Sequence, residues 1–303
     1  MASWQAESVN FLVRTLLRRR TWGDENELAH RARRLLGTPA PFRRLHTRRM
    51  KITQVDEDGV RGEWIEPRQA RDGVILYIHG GGYVSCSPAT HRPITGTLAR
   101  LTGRRVFSLD YRLAPENKFP AAVEDVVAAY RWIVEKQGAP ANRIAVGGDS
   151  AGGGLTLALL LKARDDGLPQ PACAVCFSPW TDLTGGGKSI KSNDGRCAMF
   201  TPENIDDFAA AYLGDASPLE PLASPAYSDL NGLPPLLFHV SSTELLLDDS
   251  RRVHVAVQEA GGSSRIEIYE DVCHAWQMLA GVVPEARQSL KDAADFIGRH
   301  LAP

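Results

Sequence analysis

The amino-acid sequence predicts an α/β fold in which a mostly parallel central sheet is covered by helices on both faces. Two observations support this fold class. From residue 73 to residue 300, short apolar runs rich in β-branched residues alternate with longer segments of helical periodicity. In addition, a glycine-rich turn at 147–154 joins one such run to an apolar helical segment. Regular alternation of this kind implies parallel strands joined by crossover helices.

The elements of the alternating region follow in chain order. Strands are expected at 44–55, 60–65, 73–78, 105–109, 143–146, 172–177, 235–241 and 265–269. Helices are expected at 120–136, 151–164, 247–260 and 285–300. The run 143–146 is short and β-branched, whereas the segment after the glycine turn is apolar on every side. This contrast favours a buried strand followed by a buried helix.

Two further helices are expected before the first strand. Residues 4–20 place five apolar side chains on one helical face, namely Val9, Leu12, Val13, Leu16 and Leu17. In the second helix Asp24 is the expected N-cap, and the inward residues are Leu28, Ala32, Leu35 and Leu36. Because no strand neighbours these helices in sequence, we expect residues 1–40 to form an appendage to the sheet.

A long segment at 181–233 interrupts the alternation of strands and helices. It contains three consecutive glycines and a helix that begins at Thr201, whose apolar face comprises Ile205, Phe208, Ala209 and Tyr212. Insertions at the carboxyl edge of a parallel sheet are where lids and substrate pockets are built. We therefore expect residues 181–215 to join residues 1–40 in a helical cap, over a core of residues 41–180 and 216–303.

The composition is that of an ordinary globular protein, with 303 residues, a net charge of −1 and 43% hydrophobic residues. Residues 1–51 carry twelve Arg and Lys against four Asp and Glu, so this segment has a charge of +8 and the remainder −9. A basic segment can bind anionic surfaces, but we favour the solvated face of amphipathic helices. No apolar run has the form of a signal peptide or a membrane span. We expect a cytoplasmic protein that does not bind nucleic acid and is not an integral membrane protein.

The five cysteines are odd in number and scattered along the chain. Cys173 and Cys176 form a C-x-x-C pattern, but they lie in a predicted strand, where residues three apart point to opposite faces. This placement argues against a redox or zinc site. We expect buried free thiols in a reducing compartment.

Ser150 lies at the centre of a Gly148-x-Ser150-x-Gly152 pattern between a predicted strand and a predicted helix. A sharp strand-to-helix turn can hold one side chain above the sheet, provided that its neighbours are almost free of side chains. The pattern therefore indicates a nucleophile elbow. An anion-binding glycine loop at a helix start is the alternative. The segment lacks the Gly-Lys-Ser/Thr of a P-loop and the spacing of a dinucleotide fingerprint.

A serine nucleophile needs a base, and the base needs an acid that orients it. His274 follows the last predicted strand and precedes the last helix, where an α/β-hydrolase carries its histidine. His239 and His254 lie within a strand and a helix, which favours structural roles. Three carboxylates compete for the acid, Glu244, Asp248 and Asp249, and Glu244 is the nearest to the preceding strand.

The tetrahedral intermediate of acyl transfer also needs preorganised N–H donors for its oxyanion. His79-Gly80-Gly81-Gly82 directly follows a central predicted strand. Glycine favours this role because main-chain donors must approach the substrate closely. A run of glycines is a weak signal alone, and it gains weight from its agreement with the elbow and the histidine loop.

Six segments of the sequence share their residues with one known family. They are His79 to Tyr83, Asp110 to Glu116, Gly148 to Gly153, Ser178 to Leu183, Glu244 to Ser250 and His274 to Gln277. Together they resemble the hormone-sensitive-lipase-like esterases of the α/β-hydrolase superfamily, in the bacterial type with an N-terminal cap. Three positions depart from the usual family pattern. Glu244 stands where many relatives have aspartate, Gly154 where asparagine is frequent, and Cys86 where glycine is common.

The resemblance implies an α/β-hydrolase fold and a carboxylesterase that cleaves short- to medium-chain acyl esters through an acyl-enzyme. It implies Ser150 as nucleophile, His274 as general base and Glu244 as orienting acid. The backbone N–H groups of three residues would form the oxyanion hole, namely Gly81, Gly82 and Ala151. The segment from Asp110 to Glu116 would brace the loops of the site. No metal and no cofactor is implied.

Two other functions remain open within the same family. An amide hydrolase of the arylacetamide deacetylase type would use the same machinery. Small-molecule receptors of this fold have lost the triad histidine, and the presence of His274 disfavours that function. By analogy with similar proteins, strand 265–269 is a candidate edge for pairing across a homodimer.

Overall fold

The strands form one twisted sheet that confirms the predicted fold class. A computed structural model describes residues 2–18, 22–37 and 46–301. Its strands are β1 (Met50–Glu57), β2 (Val60–Pro67), β3 (Val74–Ile78), β4 (Arg105–Leu109), β5 (Ile144–Asp149), β6 (Cys173–Phe177), β7 (Leu236–Ser241) and β8 (Ser264–Tyr269). Their order across the sheet is β1-β2-β4-β3-β5-β6-β7-β8. β2 pairs antiparallel with β1 and with β4, and the pairs from β4 to β8 are parallel.

Helices cover both faces of this sheet. They are α1 (Trp4–Val13), α2 (Glu25–Leu35), α3 (Arg92–Thr102), α4 (Ala121–Glu135), α5 (Ala151–Asp165), α6 (Lys188–Ser192), α7 (Pro202–Leu213), α8 (Leu247–Glu259) and α9 (Pro284–His300). Ile75 and Leu76 are neighbours in β3 and lie in different apolar clusters, because successive side chains of a strand point to opposite faces. The cluster of Leu76 includes α4, α5 and α8, and that of Ile75 includes α3 and α9.

One predicted boundary in the first part of the sheet is wrong, and one helix was not predicted. β1 begins at Met50 rather than at residue 44, because residues 47–49 form a turn, and residues 44–45 lie outside the described ranges. The helix α3 was not predicted. This helix contains Pro93, Gly96 and several threonines, all of low helix propensity. It forms because Ile94 and Leu98 are buried against the sheet and α9, and tertiary packing outweighs propensity.

The two N-terminal helices differ in how closely their buried residues match the prediction. In α2 the Asp24 side chain caps the helix by accepting from the N–H groups of Asn26 and Glu27, and Leu28 is buried, as predicted. α1 continues into a π-helical turn, Arg14–Arg18, and the rest of the predicted helix 4–20 lies outside the described ranges.

The predicted inward face of α1 is only partly right. Val9 and Val13 pack against the apolar cluster of α9. Leu12 and Leu16 were expected beside them, yet each is 55% exposed. Ser3 and Asn10 tie the helix to Glu285 and Asp271 on its other side, so these two leucines lie on the solvent side.

The two cysteines of the C-x-x-C pattern point to opposite faces of the sheet, as predicted. Cys173 and Cys176 both lie in β6 and belong to opposite apolar clusters. All five cysteines are free. Within the described ranges, no helix combines the length and the apolar character needed to cross a bilayer.

Candidate active site

Ser150 lies in the turn between β5 and α5, at the carboxyl edge of the central strands. Its backbone has φ 53° and ψ −123°, a region that residues with a side chain seldom occupy and that clusters at functional sites. The Ser150 amide donates to the Phe177 carbonyl at 2.9 Å, and its carbonyl accepts from the Trp180 amide at 2.9 Å. The neighbouring strand therefore holds this backbone rigidly in its rare conformation.

The glycines around Ser150 are required by close approach of the chain to itself. A Cβ on Gly148 would lie 2.3 Å from the carbonyl oxygen of Gly152, and one on Gly152 would lie 2.1 Å from that of Ile78. Gly154 has the same constraint, since a Cβ there would lie 2.2 Å from the Trp180 carbonyl oxygen. This contact explains why a side chain such as asparagine has no room at Gly154.

His274 lies in the loop after β8 and contacts Glu244, which follows β7. The distance from His274 Nδ1 to Glu244 Oε2 is 2.5 Å, and the two side chains are 3% and 1% exposed. The other carboxylate oxygen, Oε1, accepts from the Ser241 amide at 2.6 Å and from the Ser178 hydroxyl at 2.9 Å. The Nε2 atom of His274 is buried and makes no hydrogen bond among the described residues.

The other two candidate acids point away from this histidine. Asp248 accepts from the Ser189 amide at 3.0 Å. Asp249 accepts from the amides of Thr181 and Asp182 at 2.7 and 2.9 Å. Burial raises the pKa of Asp249 to about 8, and the nearby charge of Asp182 adds to this rise. Both carboxylates fasten the segment after β6 to the start of α8.

The glycine loop after β3 has the backbone geometry that only glycine adopts easily. Gly81 has φ 120° and Gly82 has φ 62°. A Cβ on Gly81 would lie 2.2 Å from the carbonyl oxygen of Ser85, and one on Gly82 would lie 2.3 Å from the ring of Phe208 in α7. Ala151 is the first residue of α5, where N–H groups have no acceptor within the helix.

Asp149, the residue before the candidate nucleophile, fastens the glycine loop to the elbow. Its carboxylate accepts from the Tyr77 hydroxyl at 2.7 Å and from the Gly80 amide at 3.1 Å, and it lies 3.2 Å from His91 Nε2. Burial favours the neutral carboxyl, but the charge and hydrogen bond of His91 and the Tyr77 hydroxyl together hold the pKa of Asp149 below its usual value. The ionised carboxylate thus joins three segments of the chain.

The segment from Asp110 to Glu116 supports the same loop. The Tyr111 hydroxyl donates to the His79 carbonyl at 2.9 Å, and its ring stacks on that of His79 at a centroid distance of 4.3 Å. The Ala114 amide donates to the Tyr83 carbonyl at 3.0 Å. Burial, together with His91, lowers the pKa of His79 to about 3, so the stacked imidazole is neutral.

A cavity of about 250 Å³ opens onto Ser150, His274 and both glycines of the loop. Most of its wall is apolar, and the N-terminal helices and the segment around α7 supply Val13, Leu35, Leu36, Phe200, Ile205 and Phe208. The Phe200 ring meets the His274 ring edge-on at a centroid distance of 5.3 Å.

Cys86 also lines this cavity and contacts the end of α2. Its thiol donates to the Leu36 carbonyl with Sγ and O 3.4 Å apart. Burial raises the pKa of this thiol to about 12, so it stays protonated and unreactive. The departure from glycine at this position therefore adds a contact between the loop and α2 and leaves the cavity open.

Sequence reasoning missed several residues that shape the site. Ser178, Tyr77 and His91 were not singled out, although Ser178 lies in a segment that resembles the family. One signal could have found Ser178, because it directly follows β6 and must end at the same sheet edge as Glu244. Tyr77 and His91 have no comparable signal, since the contact of Tyr77 with Asp149 depends on the pairing of β3 with β5, and that of His91 on where α3 begins. His239 and His254 have structural partners, as predicted, in Ser289 and Ser264.

Comparison with known proteins agrees with this geometry. A model of the α/β hydrolase fold family matches residues 75–278. An acetyl-hydrolase from Streptomyces hygroscopicus is 43% identical over 235 residues, which cover 78% of each chain. An esterase from Acinetobacter venetianus is 36% identical, with 82% of each chain covered.

Solved structures extend the likeness to the whole chain. The crystal structure of EstE5 soaked with p-nitrophenyl butyrate is 37% identical, has a TM-score of 0.90 and covers 100% of both chains. An esterase from the bacterial hormone-sensitive lipase family is 39% identical, with a TM-score of 0.89 and the same coverage. The chain therefore belongs to the α/β hydrolase fold family and, within it, to the bacterial hormone-sensitive-lipase-like esterases.

Proposed function

We propose that this carboxylic ester hydrolase uses Ser150 as nucleophile, His274 as general base and Glu244 as the acid that orients the base. The buried contact of 2.5 Å between Glu244 Oε2 and His274 Nδ1 carries the proposal. A carboxylate at Nδ1 favours the tautomer whose proton is on that nitrogen, which leaves Nε2 to accept. His274 and Ser150 line one cavity, where Nε2 can take the serine proton.

In the first half of the reaction, Ser150 Oγ attacks the ester carbonyl carbon while its proton passes to His274 Nε2. The tetrahedral intermediate collapses, the leaving alkoxide takes that proton, and the acyl group stays on Oγ. In the second half a water molecule gives its proton to Nε2 and attacks the acyl carbon. Collapse returns the proton to Ser150 and releases the carboxylic acid. Glu244 stays ionised and stabilises the imidazolium in both halves.

The negative charge that develops on the carbonyl oxygen is held by the N–H groups of Gly81, Gly82 and Ala151. Two observations support these donors. Both glycines line the cavity with Ser150, and Ala151 starts a helix whose first N–H groups lack intrahelical acceptors. Donors fixed before the reaction need no reorganisation when charge appears, and one such donor typically contributes a factor of about 10² to 10³ in kcat.

The substrates are esters of short- to medium-chain acids. The cavity of about 250 Å³ is smaller than the roughly 300 to 1,000 Å³ typical of sites for drug-sized ligands. Its apolar wall suits an acyl chain, and Met199 and Met278 add side chains that adapt to different lengths. The named activities of the relatives agree, since one is an acetyl-hydrolase and EstE5 was soaked with a butyrate ester.

Residues 1–40 and 181–215 act as a cap over this cavity. α2 and α7 supply part of the cavity wall, and the Arg33 guanidinium fastens α2 to the core. Arg33 donates to both oxygens of Glu116 at 2.7 and 2.6 Å, to the Val84 carbonyl at 2.9 Å and to the Ala114 carbonyl at 3.0 Å. The cap thereby rests on the segments that support the oxyanion loop.

Replacement of Ser150 by alanine tests the mechanism. We expect Ser150→Ala to abolish hydrolysis of p-nitrophenyl esters at an unchanged Tm, and an organophosphate to label Ser150 in the native enzyme. On a series of acyl chains, kcat/KM should be highest for short and medium esters, and matched p-nitroanilides should be far poorer substrates. Full activity of Ser150→Ala would contradict the nucleophile, and faster anilide cleavage would assign the enzyme to the amide hydrolases.

The edge strand β8 pairs with its copy in a homodimer. β8 is the last strand of the sheet, so one side of its backbone is open. In an antiparallel pair centred on Ile266, Arg265 of each copy would lie opposite Glu267 of the other copy. Opposite charges in such cross-strand positions are favourable. Arg265→Glu should give a monomer by sedimentation, and Arg265→Glu with Glu267→Arg should restore the dimer. A monomeric native protein would contradict this pairing.

The protein functions in the cytoplasm. Five free cysteines support a reducing compartment, because disulfides form and persist in oxidising ones. Thiol titration of the protein denatured directly from its native host should detect all five thiols. Fewer thiols together with an oxidised pair would point to an oxidising compartment instead.

A further inference from the structure

The solvent side of the first helix is an apolar surface. Trp4, Phe11, Leu12 and Leu16 are exposed by 72%, 70%, 55% and 55%, and we call these four residues the outer face. Phe11 and Leu12 follow Trp4 in α1 by seven and eight positions, which places these three on one side of the helix, and Leu16 lies in the π-helical turn that continues it. Exposed apolar patches on this scale mark sites of interaction with a partner or a membrane.

The outer face points outward because the opposite side of α1 is fastened to the body. The amide and hydroxyl of Ser3 donate to the Glu285 carboxylate at 2.6 and 2.8 Å. Asn10 donates to the Asp271 carbonyl at 2.7 Å. Ala6 is buried and Val9 packs against the core. The anchors thus determine which side of the helix meets solvent.

Ser8 and Thr15 lie between residues of the outer face, and the hydroxyl group of each is already bonded. Ser8 donates to the Trp4 carbonyl at 2.8 Å, and Thr15 donates to the Phe11 carbonyl at 2.8 Å. Burying an unbonded hydroxyl in an apolar medium is costly, whereas these two would keep their partners. The surface is therefore suited to transfer into an apolar phase.

Positive charge borders the outer face. The Arg14 guanidinium donates to the carbonyl oxygens of Gly195 and Arg196. These acceptors are neutral and do not offset the positive charge of Arg14. These contacts bring the exposed Arg196 beside α1. Residues 1–51 have a charge of +8 and the rest of the chain −9. Arginine therefore borders the C-terminal end of the outer face, and the one charged residue of α1 is Glu7 in its first turn.

We propose that the outer face of α1 docks on the surface of an anionic lipid bilayer. A helix with bulky apolar residues on one side, bordered by arginine, lies in the interfacial plane of such membranes. Anionic lipid complements the positive charge of the N-terminal segment. A bilayer surface can also surround a single exposed helix, whereas a protein partner would need a groove to bind in, and one helix offers none. Negative lipid is characteristic of the cytoplasmic leaflet, in agreement with the compartment proposed above.

Docking would set the acyl cavity beside the lipid. Val13, on the inner side of the same helix, lines the cavity that contains Ser150 and His274. An ester dissolved in the bilayer would therefore have a short path to the nucleophile. This consequence rests on the proposed function, whereas the docking itself does not depend on catalysis.

Vesicle binding of the full-length protein tests the proposal. We expect flotation with vesicles of phosphatidylcholine containing phosphatidylglycerol, weaker flotation with phosphatidylcholine alone, and loss of the difference at about 1 M salt, where charges are screened within about 3 Å. Phe11→Ser with Leu12→Ser should weaken partitioning at least about tenfold, because two large apolar side chains no longer enter the lipid. Arg196→Gln should weaken binding to the anionic vesicles alone, about fivefold.

Matched controls separate docking from folding and from catalysis. Leu219→Ser with Val255→Ser removes two apolar side chains of similar exposure, 56% and 50%, outside the outer face, and should bind like the native protein. Ser150→Ala should also bind normally, so a failed nucleophile leaves the docking result intact. Phe11→Ser with Leu12→Ser should keep the Tm of the native protein, because both side chains are exposed.

Three results would overturn the proposal. One is the absence of binding to the anionic vesicles, and a second is equal partitioning of Phe11→Ser with Leu12→Ser and the native protein. The third is a native protein that does not bind vesicles and sediments as a dimer, together with a monomeric Phe11→Ser, Leu12→Ser double variant. That result would show that a second copy of the chain covers the outer face.

Discussion

The Ser178 hydroxyl donates a hydrogen bond of 2.9 Å to Glu244 Oε1, the carboxylate oxygen that does not contact His274. Ser178 directly follows β6 with φ 44°, and its amide donates to the His239 carbonyl at 2.7 Å. The end of one strand therefore fixes the carboxylate that follows the next strand. We regard Ser178 as a positioning residue for the proposed acid.

Ser178→Ala should lower kcat about tenfold and leave KM within about twofold. A hydrogen bond to a charged group contributes about 1.5 to 3 kcal/mol, and its loss lets the buried carboxylate turn away from the imidazole. The measurement is kcat and KM for a short ester, with Tm recorded alongside. An unchanged kcat, or a change confined to KM, would show that Ser178 has no part in orienting Glu244.

Glu244→Gln should lose about four orders of magnitude in kcat, as loss of the orienting acid does in the serine-protease template. Asp248→Asn should retain most activity, because its carboxylate contacts the Ser189 amide rather than the histidine. Rates on a short ester and Tm values distinguish the two variants. An inactive Asp248→Asn beside an active Glu244→Gln would displace the acid to the start of α8.

Gly81→Ala should reduce kcat about 10²- to 10³-fold, the loss expected when an oxyanion donor moves. The added Cβ would lie 2.2 Å from the Ser85 carbonyl oxygen, so the loop must shift. Gly138→Ala is the matched control, since φ is +66° and no atom lies within 4 Å of its added Cβ. The control should lower Tm slightly and keep its activity. Similar kcat losses in both variants would make backbone strain the cause.

Leu35→Trp should shorten the accepted acyl chain. Leu35 lines the cavity from α2, and a larger side chain would occupy space that a longer acyl group needs. We expect the ratio of kcat/KM for hexanoate to that for acetate to fall about tenfold or more, as for a misfit of one or a few methylenes. Leu101→Trp, at a position that is 45% exposed outside the cavity, should leave the ratio unchanged. An unaltered ratio in Leu35→Trp would place the acyl chain elsewhere.

Stability should fall in acid because burial makes two histidines harder to protonate in the folded state than in the unfolded chain. Burial lowers the pKa of His79 and of His239 from 6.5 to about 3. Between these two values the unfolded chain binds more protons, so the free energy of unfolding decreases as pH falls through the window. Each histidine contributes at most about 1.4 kcal/mol for every pH unit of this window.

His239→Gln isolates one of these contributions. Glutamine can keep a hydrogen bond to Ser289, the partner of His239 at 2.7 Å, and it does not titrate. Urea denaturation at about pH 7 and about pH 4 should show a smaller loss of stability for the variant than for the native protein. Equal losses in both proteins would mean that His239 is protonated in the folded state.

Local sequence was sufficient for much of the fold and for the main groups of the site. Strand and helix patterns are short-range properties, and the glycine-x-serine-x-glycine pattern of the elbow lies within five consecutive residues. Ser150, the glycine loop and His274 could therefore be assigned from position along the chain. The resemblance to a family then implied Glu244, which the residues alone had left in competition with Asp248 and Asp249.

Only the tertiary structure decided which of these carboxylates meets the histidine and which side of α1 is covered. Glu244 and His274 are 30 positions apart, and their contact depends on β7 and β8 ending at the same sheet edge. Helical periodicity likewise determined that Leu12 and Leu16 share a side, but the anchors Ser3 and Asn10 turned that side to solvent. In both cases the deciding contacts join residues distant in sequence, and no local pattern encodes them.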